Sequence, residues 1–160
     1  MNVRKYKSTD CIEMANLFYE SVHTINAKDY TKSQLDAWTT RKIDIAAWNK
    51  SFLGHNTLVA EENNNIVGFG DMDSNGYLDR LFVHKDYQDK GIATAIIVEL
   101  ERHAEIHGIA IFSTHASISA KPFFEKLGYY VVSKNKVVRN DVELINYIME
   151  KNIASTNKTA

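Results

Sequence analysis

The sequence predicts an α/β (α+β) fold with about seven strands in one domain. Three observations support this prediction. Apolar residues with helical spacing dominate residues 9–52, and strand-like segments separated by asparagine-rich turns fill residues 57–84. The hydrophobic period then changes from about 2 to about 3.6 between the apolar run 77–83 and a helical pattern that starts near Gly91. In chain order, the elements read β-α-α-β-β-β-α-β-α-β-β, where α-α stands for the helical pieces of residues 9–52.

The N-terminal part is predicted to be mainly helical. A short strand at residues 3–6 precedes a helix of roughly residues 9–27, which a run of Ser, Thr and Asp can cap. Thr31 and Gln34 match a capping box and therefore predict a second helix. A third, short helix is predicted at residues 44–52, so three helical pieces precede the first hairpin.

The middle of the chain is predicted to form a three-stranded antiparallel meander. Residues 57–61 and 66–72 are strand-like, and the asparagine-rich residues 62–65 join them. Asparagine tolerates the left-handed conformations that tight turns require. Ser74-Asn75-Gly76 is a second turn of this kind, and it leads into a strand at residues 77–84.

The last part alternates helices and strands. Its predicted elements are a helix at 91–107, a strand at 109–113, a helix at 117–127, and strands at 129–133 and 142–149 joined by a polar hairpin of residues 134–141. The predicted domain spans residues 1–150. Residues 151–160 are expected to form a frayed C-terminal tail, because its end is small and polar.

Composition argues against several classes of function. The chain of 160 residues has a formal net charge of −1 and a pI of about 6.6, which provides no basic field for a nucleic-acid partner. No apolar run approaches the length of a membrane span, so we expect a cytoplasmic protein with no membrane partner. The single cysteine, Cys11, excludes an intramolecular disulfide, and it lies on an apolar helical stripe that predicts burial.

A candidate anion-binding turn lies where the strand ending near Val83 meets the next helix. Gln88, Asp89, Lys90 and Gly91 occupy this join. A helix that starts there leaves its first backbone N–H groups unpaired and its positive dipole end facing outward. Because Gly91 has no Cβ, a phosphate can approach its backbone closely. An ordinary strand-to-helix junction is the alternative.

Two motifs give this chain a resemblance to a known family. Gln88, Gly91 and Ala93 fill the fixed positions of Gln/Arg-x-x-Gly-x-Gly/Ala, the acyl-CoA-binding motif of the GNAT acetyltransferases. Residues 117–129 are similar to a second motif of that family, Asn-x-x-Ala-x-x-x-Tyr-x-Lys-x-Gly-Phe. The order of elements is also that of the family. The resemblance covers residues 3–150, and it extends to a bacterial subgroup of uncharacterised members.

The resemblance implies a fold, a co-substrate and a reaction. The fold is the acyl-CoA N-acyltransferase (GNAT) fold, a mixed, mostly antiparallel sheet of about seven strands flanked by helices and splayed between the fourth and fifth strands. Acetyl-CoA is the implied co-substrate, and a primary amine of a small molecule or protein attacks its thioester. Homodimers are common among such proteins. The residues implied to contact the cofactor are Leu81, Phe82, Val83, Gln88, Asp89, Lys90, Gly91, Ile92, Ala93, Thr94, Ser119, Phe123 and Phe124.

Two departures from the common pattern of the family bear on its chemistry. Asp89 stands where many members carry glycine, which places a carboxylate beside a diphosphate. We expect its side chain to face solvent and its backbone N–H to serve the ligand. Phe124 replaces a tyrosine that protonates the leaving thiolate in many members, and phenylalanine has no proton to donate. A non-catalytic acyl-CoA binder or sensor is therefore an alternative, and an enzyme acting on charged tRNA is a further one that the near-neutral charge disfavours.

Three residues are candidates for proton transfer. Asp79 lies two residues before Leu81 on a predicted strand, so the two side chains share one face. A carboxylate in a partly dry cleft can accept a proton from an amine, and a surface pair with Arg80 is the alternative role. His115 and Tyr129 are candidates to replace the missing tyrosine, with packing as the alternative for Tyr129.

The remaining histidine and aromatic signals are weaker. His103 and His107 have helical i, i+4 spacing, but no recognised pattern of further ligands accompanies them, so we expect no metal. Trp38 and Trp48 lie in the region that the resemblance places over the acceptor amine. Aromatic rings bind amines by cation–π contact, although a position in the core is the stronger expectation for both.

Overall fold

A computed structural model describes residues 1–40 and 42–153. The helices are α1 (Cys11–Ile25), α2 (Lys32–Trp38), α3 (Ile45–Gly54), α4 (Ile92–Ile106) and α5 (Lys121–Lys126). The strands are β1 (Asn2–Lys5), β2 (Asn56–Glu62), β3 (Asn65–Met72), β4 (Tyr77–Val83), β5 (Ile111–Ser117), β6 (Tyr130–Arg139) and β7 (Val142–Asn152). Short 3₁₀ turns flank α1 at Ser8–Asp10 and Asn26–Lys28. Within the described ranges, no helix has both the length and the apolar character needed to cross a bilayer.

The seven strands form one sheet in the order β1-β2-β3-β4-β5-β7-β6. All neighbouring strands are antiparallel except β4 and β5, which run parallel. This parallel pair is in register at only two positions, Tyr77 with Ser113 and Leu78 with Thr114. Beyond Leu78, the two strands are no longer paired. The predicted mixed sheet, splayed between its fourth and fifth strands, is therefore confirmed.

Each face of the sheet carries its own hydrophobic core. Helix α4 covers one face with the buried side chains Ile92, Ile96, Ile97, Leu100 and Ala104. Helices α1 and α3 cover the other face, where the side chains of Phe18, Trp48, Phe52, Phe69 and Phe82 contact one another. The apolar stripe predicted on the first helix is buried, and it comprises Cys11, Ala15, Phe18 and Val22.

The predicted boundaries of β5 and α5 are wrong by several residues. Strand β5 runs to Ser117 because it pairs with β7 along its whole length. The Ser117 hydroxyl then accepts the N–H of Ala120 at 3.1 Å. This side-chain bond forms a turn, so α5 begins only at Lys121 and not at residue 117.

The polar hairpin predicted at residues 134–141 is mostly strand. β6 continues to Arg139, and only Asn140 and Asp141, with φ of 50° and 61°, form the turn. β6 is an edge strand with exposed side chains, so its polarity did not distinguish it from a loop. β7 extends to Asn152, so Lys151 and Asn152, the first two residues of the predicted frayed tail, belong to the sheet. Residues 154–160 of that tail lie outside the described residues.

Gly76, in the turn before β4, is a position where a side chain is expected to be costly. Its φ is +84°, and an added Cβ would lie 2.7 Å from the carbonyl oxygen of Ile111 and 2.7 Å from Cγ2 of Ile109. We expect Gly76→Ala to lower the free energy of unfolding by about 2 kcal/mol or more, since both the left-handed backbone and the close contact are unfavourable. Urea unfolding followed by circular dichroism measures this change.

Gly54→Ala is the matched control for this prediction. No atom lies within 4 Å of the position of its added Cβ, so the substitution is expected to be neutral or to stabilise by about 0.5 kcal/mol. Equal free energies of unfolding for the two variants would contradict the expectation for Gly76.

Candidate active site

A cavity of about 690 Å³ lies at the opening between β4 and β5. The predicted cofactor residues that line it are Leu81, Phe82, Val83, Gln88, Asp89, Gly91, Ile92, Ala93, Thr94, Ser119, Phe123 and Phe124. Lys90 is not among the lining residues, and its ammonium nitrogen lies 5.0 Å from the centre of the Tyr87 ring. The structure thus brings together twelve of the thirteen predicted cofactor residues around one cavity.

The loop between β4 and α4 is held by the side chain of Gln88. Its amide nitrogen donates to the carbonyl oxygen of Val83 at 2.9 Å and to that of His84 at 3.2 Å. Asp89 and Gly91 both adopt left-handed backbone conformations, with φ of 59° and 78°. Gln88 therefore shapes the loop through the backbone, and Asp89 lies at the exposed edge of the cavity.

The start of α4 is open to the cavity. Gly91 precedes the helix, and no atom lies within 4 Å of the place where a Cβ would stand. The first N–H groups of a helix have no partner within it and carry its positive dipole end. This geometry can accommodate an anionic group such as a diphosphate.

A second cavity of about 620 Å³ adjoins the first. Residues from α2, β4 and β5 line both cavities, and these shared residues are Trp38, Asp79, Phe82, His115 and Ser117. Other walls of the second cavity are aromatic and include Phe18, Tyr30, Trp48 and Tyr77. Trp38 and Trp48 are half-buried and serve both the core and the cavity wall.

Asp79 lies at the junction of the two cavities. Its side chain is 38% exposed, and its Oδ2 accepts a hydrogen bond from Nη2 of Arg80 at 3.1 Å. The ion pair that the sequence left open as an alternative is therefore present. It does not remove Asp79 from the site, because Asp79 lines both cavities.

His115, on β5, is exposed at the same junction. Its ring meets the edge of the Tyr77 ring, with centroids 5.4 Å apart. Burial raises the pKa of Tyr77 to about 12, so its phenol stays protonated at neutral pH. The junction therefore holds one carboxylate and one imidazole beside a neutral phenol.

The structure does not place Tyr129 at the site. Its side chain is buried, lines neither cavity, and donates a hydrogen bond from its hydroxyl to Oε2 of Glu101 at 2.6 Å. Burial, together with the Glu101 carboxylate, raises the pKa of Tyr129 far above its usual value. This position argues against the predicted role in proton transfer and supports the packing alternative, since its ring contacts that of Phe124.

One group of side chains has the composition of a metal site. His55, Asp71 and Asp79 bring possible ligand atoms within 4.8 Å of one another. The guanidinium of Arg80 donates to both carboxylates, at 2.8 Å to Asp71 Oδ2 and 3.1 Å to Asp79 Oδ2. The positive charge of Arg80 therefore already neutralises the carboxylates that a metal ion would need as ligands. The expectation that the protein needs no metal stays a prediction.

The sequence pattern did not indicate that the end of the first helix lines the first cavity, nor did it indicate the hydrogen bonds of Tyr30. Ser21, Thr24 and Asn26 line the first cavity from the end of α1 and its 3₁₀ turn. The Tyr30 hydroxyl donates to the carbonyl oxygen of Ile145 and accepts the N–H of Ile118, both at 2.8 Å. The polar residues at the end of the apolar first helix could have indicated that this end faces a cavity. The bonds of Tyr30 join residues that are far apart in the sequence, so no local pattern predicts them.

Known families and structures agree with this architecture. The family model of the acetyltransferase (GNAT) domain matches residues 26–151. The uncharacterised N-acetyltransferase YafP of Escherichia coli (strain K12) is 29% identical over 149 residues, which cover 93% of this chain and 94% of that protein.

Three solved structures share the fold. A GCN5-related N-acetyltransferase from Rhodopseudomonas palustris has a TM-score of 0.90 at 32% identity and covers 94% of both chains. PaiA N-acetyltransferase from Thermoplasma acidophilum, solved with coenzyme A, has a TM-score of 0.80 at 19% identity, over 94% of this chain and 98% of that one. YncA from Salmonella typhimurium, solved with acetyl-CoA, has a TM-score of 0.72 at 19% identity, over 96% and 94% of the two chains. The chain belongs to the GNAT family of acetyltransferases.

Proposed function

We propose that this protein transfers the acetyl group of acetyl-CoA to a primary amine of a small molecule or protein by direct attack on the thioester. The observation that carries this proposal is the meeting of two cavities at the open edge of β4, with Asp79 and His115 at their junction. The first cavity takes the cofactor and the second takes the amine. Direct attack needs the two reactants to be neighbours, and the shared wall provides this proximity.

The open edge of β4 supplies the hydrogen bonds for the cofactor arm. The N–H of His84 bonds to the carbonyl oxygen of Val67 on β3. Because the backbone groups of a strand alternate between its two edges, those of Leu81 and the N–H of Val83 face the opening. A thioester oxygen that accepts one of these N–H groups is polarised toward attack, as in an oxyanion hole.

The diphosphate of the cofactor lies at the start of α4 in this proposal. The backbone N–H groups from Gly91 to Thr94 bind it, and the Thr94 hydroxyl adds a further donor. The Asp89 carboxylate faces solvent, so its charge is screened from the diphosphate. Lys28, which also lines the cavity, offers a cation to the phosphates of the cofactor.

Asp79 accepts the proton of the attacking amine in this proposal, directly or through a water. His115, which the sequence suggested as a replacement for the missing tyrosine, also lies at the junction and is the second candidate for accepting this proton. Phe124 is buried and lines the cofactor cavity. Its side chain has no proton to donate to the leaving thiolate. Thiols are much stronger acids than alcohols, so the CoA thiolate can leave without a proton donor.

A non-catalytic acyl-CoA binder is the second candidate function, and the presence of Phe124 favours it. Incubation of the protein with acetyl-CoA and a panel of small amines and peptides separates the two functions. We expect release of free CoA thiol together with an acetylated amine detected by mass spectrometry. Tight binding of acetyl-CoA with no acetylated product from any amine class would support the binder instead.

Several expectations from the sequence remain proposals. We propose a single N-acetyltransferase domain that extends past the expected limit at residue 150 to the end of β7 at Asn152. We propose that it acts in the cytoplasm without a metal ion. We also propose no nucleic-acid or membrane partner, in line with the near-neutral charge. Formation of a homodimer stays a prediction.

A further inference from the structure

The side chain of Arg80 is fixed by an unusual set of contacts. Its Nε and Nη2 atoms donate to the two carboxylate oxygens of Asp71 at 3.1 and 2.8 Å. Nη2 also donates to the hydroxyl of Ser51, and the guanidinium carbon lies 4.3 Å from the centre of the Phe52 ring. Asp71, Ser51 and the Phe52 ring thus hold Arg80 in place. The two hydrogens of Nη2 are shared among Asp71, Ser51 and Asp79, so the 3.1 Å contact with Asp79 is a shared hydrogen bond from a group that has little freedom to move.

Asp71 is the anchor of this arrangement. Its side chain is fully buried, and Nδ1 of His55 lies 2.8 Å from its Oδ2. Burial raises the pKa of Asp71, whereas Arg80 and His55 oppose this change. A buried ion pair is often no more stable than apolar side chains of similar volume. Stability alone therefore does not account for the pair.

We propose that Arg80 is a positioning residue for the acetyl transfer, which Asp71 anchors so that the Asp79 carboxylate is held at the junction of the two cavities. This inference rests on the function proposed above. Arg80 bonds to Oδ2 of Asp79, which leaves Oδ1 to accept the proton of the amine. Asp71 also neutralises Arg80, so Asp79 is not turned into a weak base by an uncompensated neighbouring cation.

The charged groups around Asp79 determine how its basicity changes when one of them is replaced. The titratable groups closest to it are Arg80 and Tyr77 on β4, Asp71 on β3, His55 after α3 and His115 on β5. The other charged residues that line the two cavities with it are Lys28, Lys42, Asp44, Asp89 and Arg139. Asp71→Asn leaves the charge of Arg80 without its closest counterion. The remaining cation then stabilises the negative charge of the Asp79 carboxylate, so Asp79 is expected to be a weaker base.

The test compares pH–rate profiles of the full-length wild-type protein, Asp71→Asn and the double variant Asp71→Asn/Arg80→Gln. For Asp71→Asn we expect the acidic limb of the kcat profile to move by about one unit to lower pH. We also expect kcat on the plateau to fall by about tenfold, since the base is weaker and less well placed. The double variant removes both buried charges, and its acidic limb is expected to return to the wild-type position or above.

Asp10→Asn is the matched control. Asp10 accepts two hydrogen bonds from Arg4, at 2.8 and 2.9 Å, in a pair of the same chemistry that lines neither cavity. It is expected to lower stability without moving the pH profile. Carbon-13 NMR titration of the Asp79 carboxyl group provides a readout that does not need turnover.

The possible outcomes separate this inference from the proposed function. An active wild-type protein whose acidic limb and Asp79 titration are unchanged by Asp71→Asn, or move to higher pH, would overturn the positioning role. A wild-type protein that acetylates no amine would overturn the proposed function. In that case, the NMR titration of Asp79 in Asp71→Asn still decides whether Arg80 and Asp71 control this carboxylate.

Discussion

Replacement of Asp79 by asparagine is expected to lower kcat for acetyl transfer by about a hundredfold or more, because the proposed base then has no carboxylate to accept the proton of the amine. Asparagine keeps the size of the side chain and an oxygen that can still accept from Arg80. The affinity for acetyl-CoA is therefore expected to stay within about twofold of wild type, since the change removes no cofactor contact in our proposal. Steady-state kinetics and isothermal titration calorimetry measure the two effects separately.

The pH dependence provides the sharper part of this prediction. The acidic limb of the kcat profile is expected to disappear in Asp79→Asn, because this limb reports protonation of the base. Asp86→Asn is the matched control, since Asp86 is a carboxylate on the adjoining loop whose side chain is 71% exposed. If Asp79→Asn keeps the wild-type pH profile, the base is another group, and His115 is the next candidate.

Ala93→Glu is expected to weaken acetyl-CoA binding by about a hundredfold, which corresponds to about 3 kcal/mol. Ala93 is half-buried, lines the first cavity and lies in the first turn of α4. Glutamate there places a negative charge where we propose that the diphosphate binds. The fold is not expected to suffer, because a carboxylate near the start of a helix interacts favourably with its dipole.

Two controls separate charge from size and from location. Ala93→Gln adds the same volume without the charge, so the difference between the two variants measures electrostatic repulsion. Val98→Glu adds the same charge to an exposed position of the same helix, where Val98 is 53% exposed, and is expected to bind acetyl-CoA as the wild type does. Wild-type affinity in Ala93→Glu would place the diphosphate elsewhere.

The parts of the fold that the sequence predicts well are those where local chemistry is decisive. The change of hydrophobic period at the start of α4 and the left-handed Asn63 and Asn64 of the first hairpin are local signals, and the structure confirms both. The capping box of Thr31 and Gln34 is also confirmed. The boundaries of β5 and β6 depend on pairing with β7, which is distant in sequence, so local polarity predicts them poorly.

The candidate site shows the same division. The cofactor cavity contains nearly all of the predicted residues, because they lie in two short motifs on neighbouring elements. The buried position of Tyr129 was not predicted, because its hydroxyl bonds to Glu101 on α4, which is distant in sequence. Asp71 and Arg80 lie opposite each other across the hairpin of β3 and β4, next to a bulge between Asp71 and Met72. The bulge changes the register near the turn, so the turn residues alone did not indicate this pair.

The most direct test of this account is a crystal structure of the protein with an unreactive thioether analogue of acetyl-CoA. We predict that the pantetheine arm lies between β4 and β5, bonded to the backbone of Leu81 and Val83, and that the diphosphate contacts the N–H groups at the start of α4. Binding of the analogue outside this opening, or closure of the opening by full pairing of β4 with β5, would contradict the account.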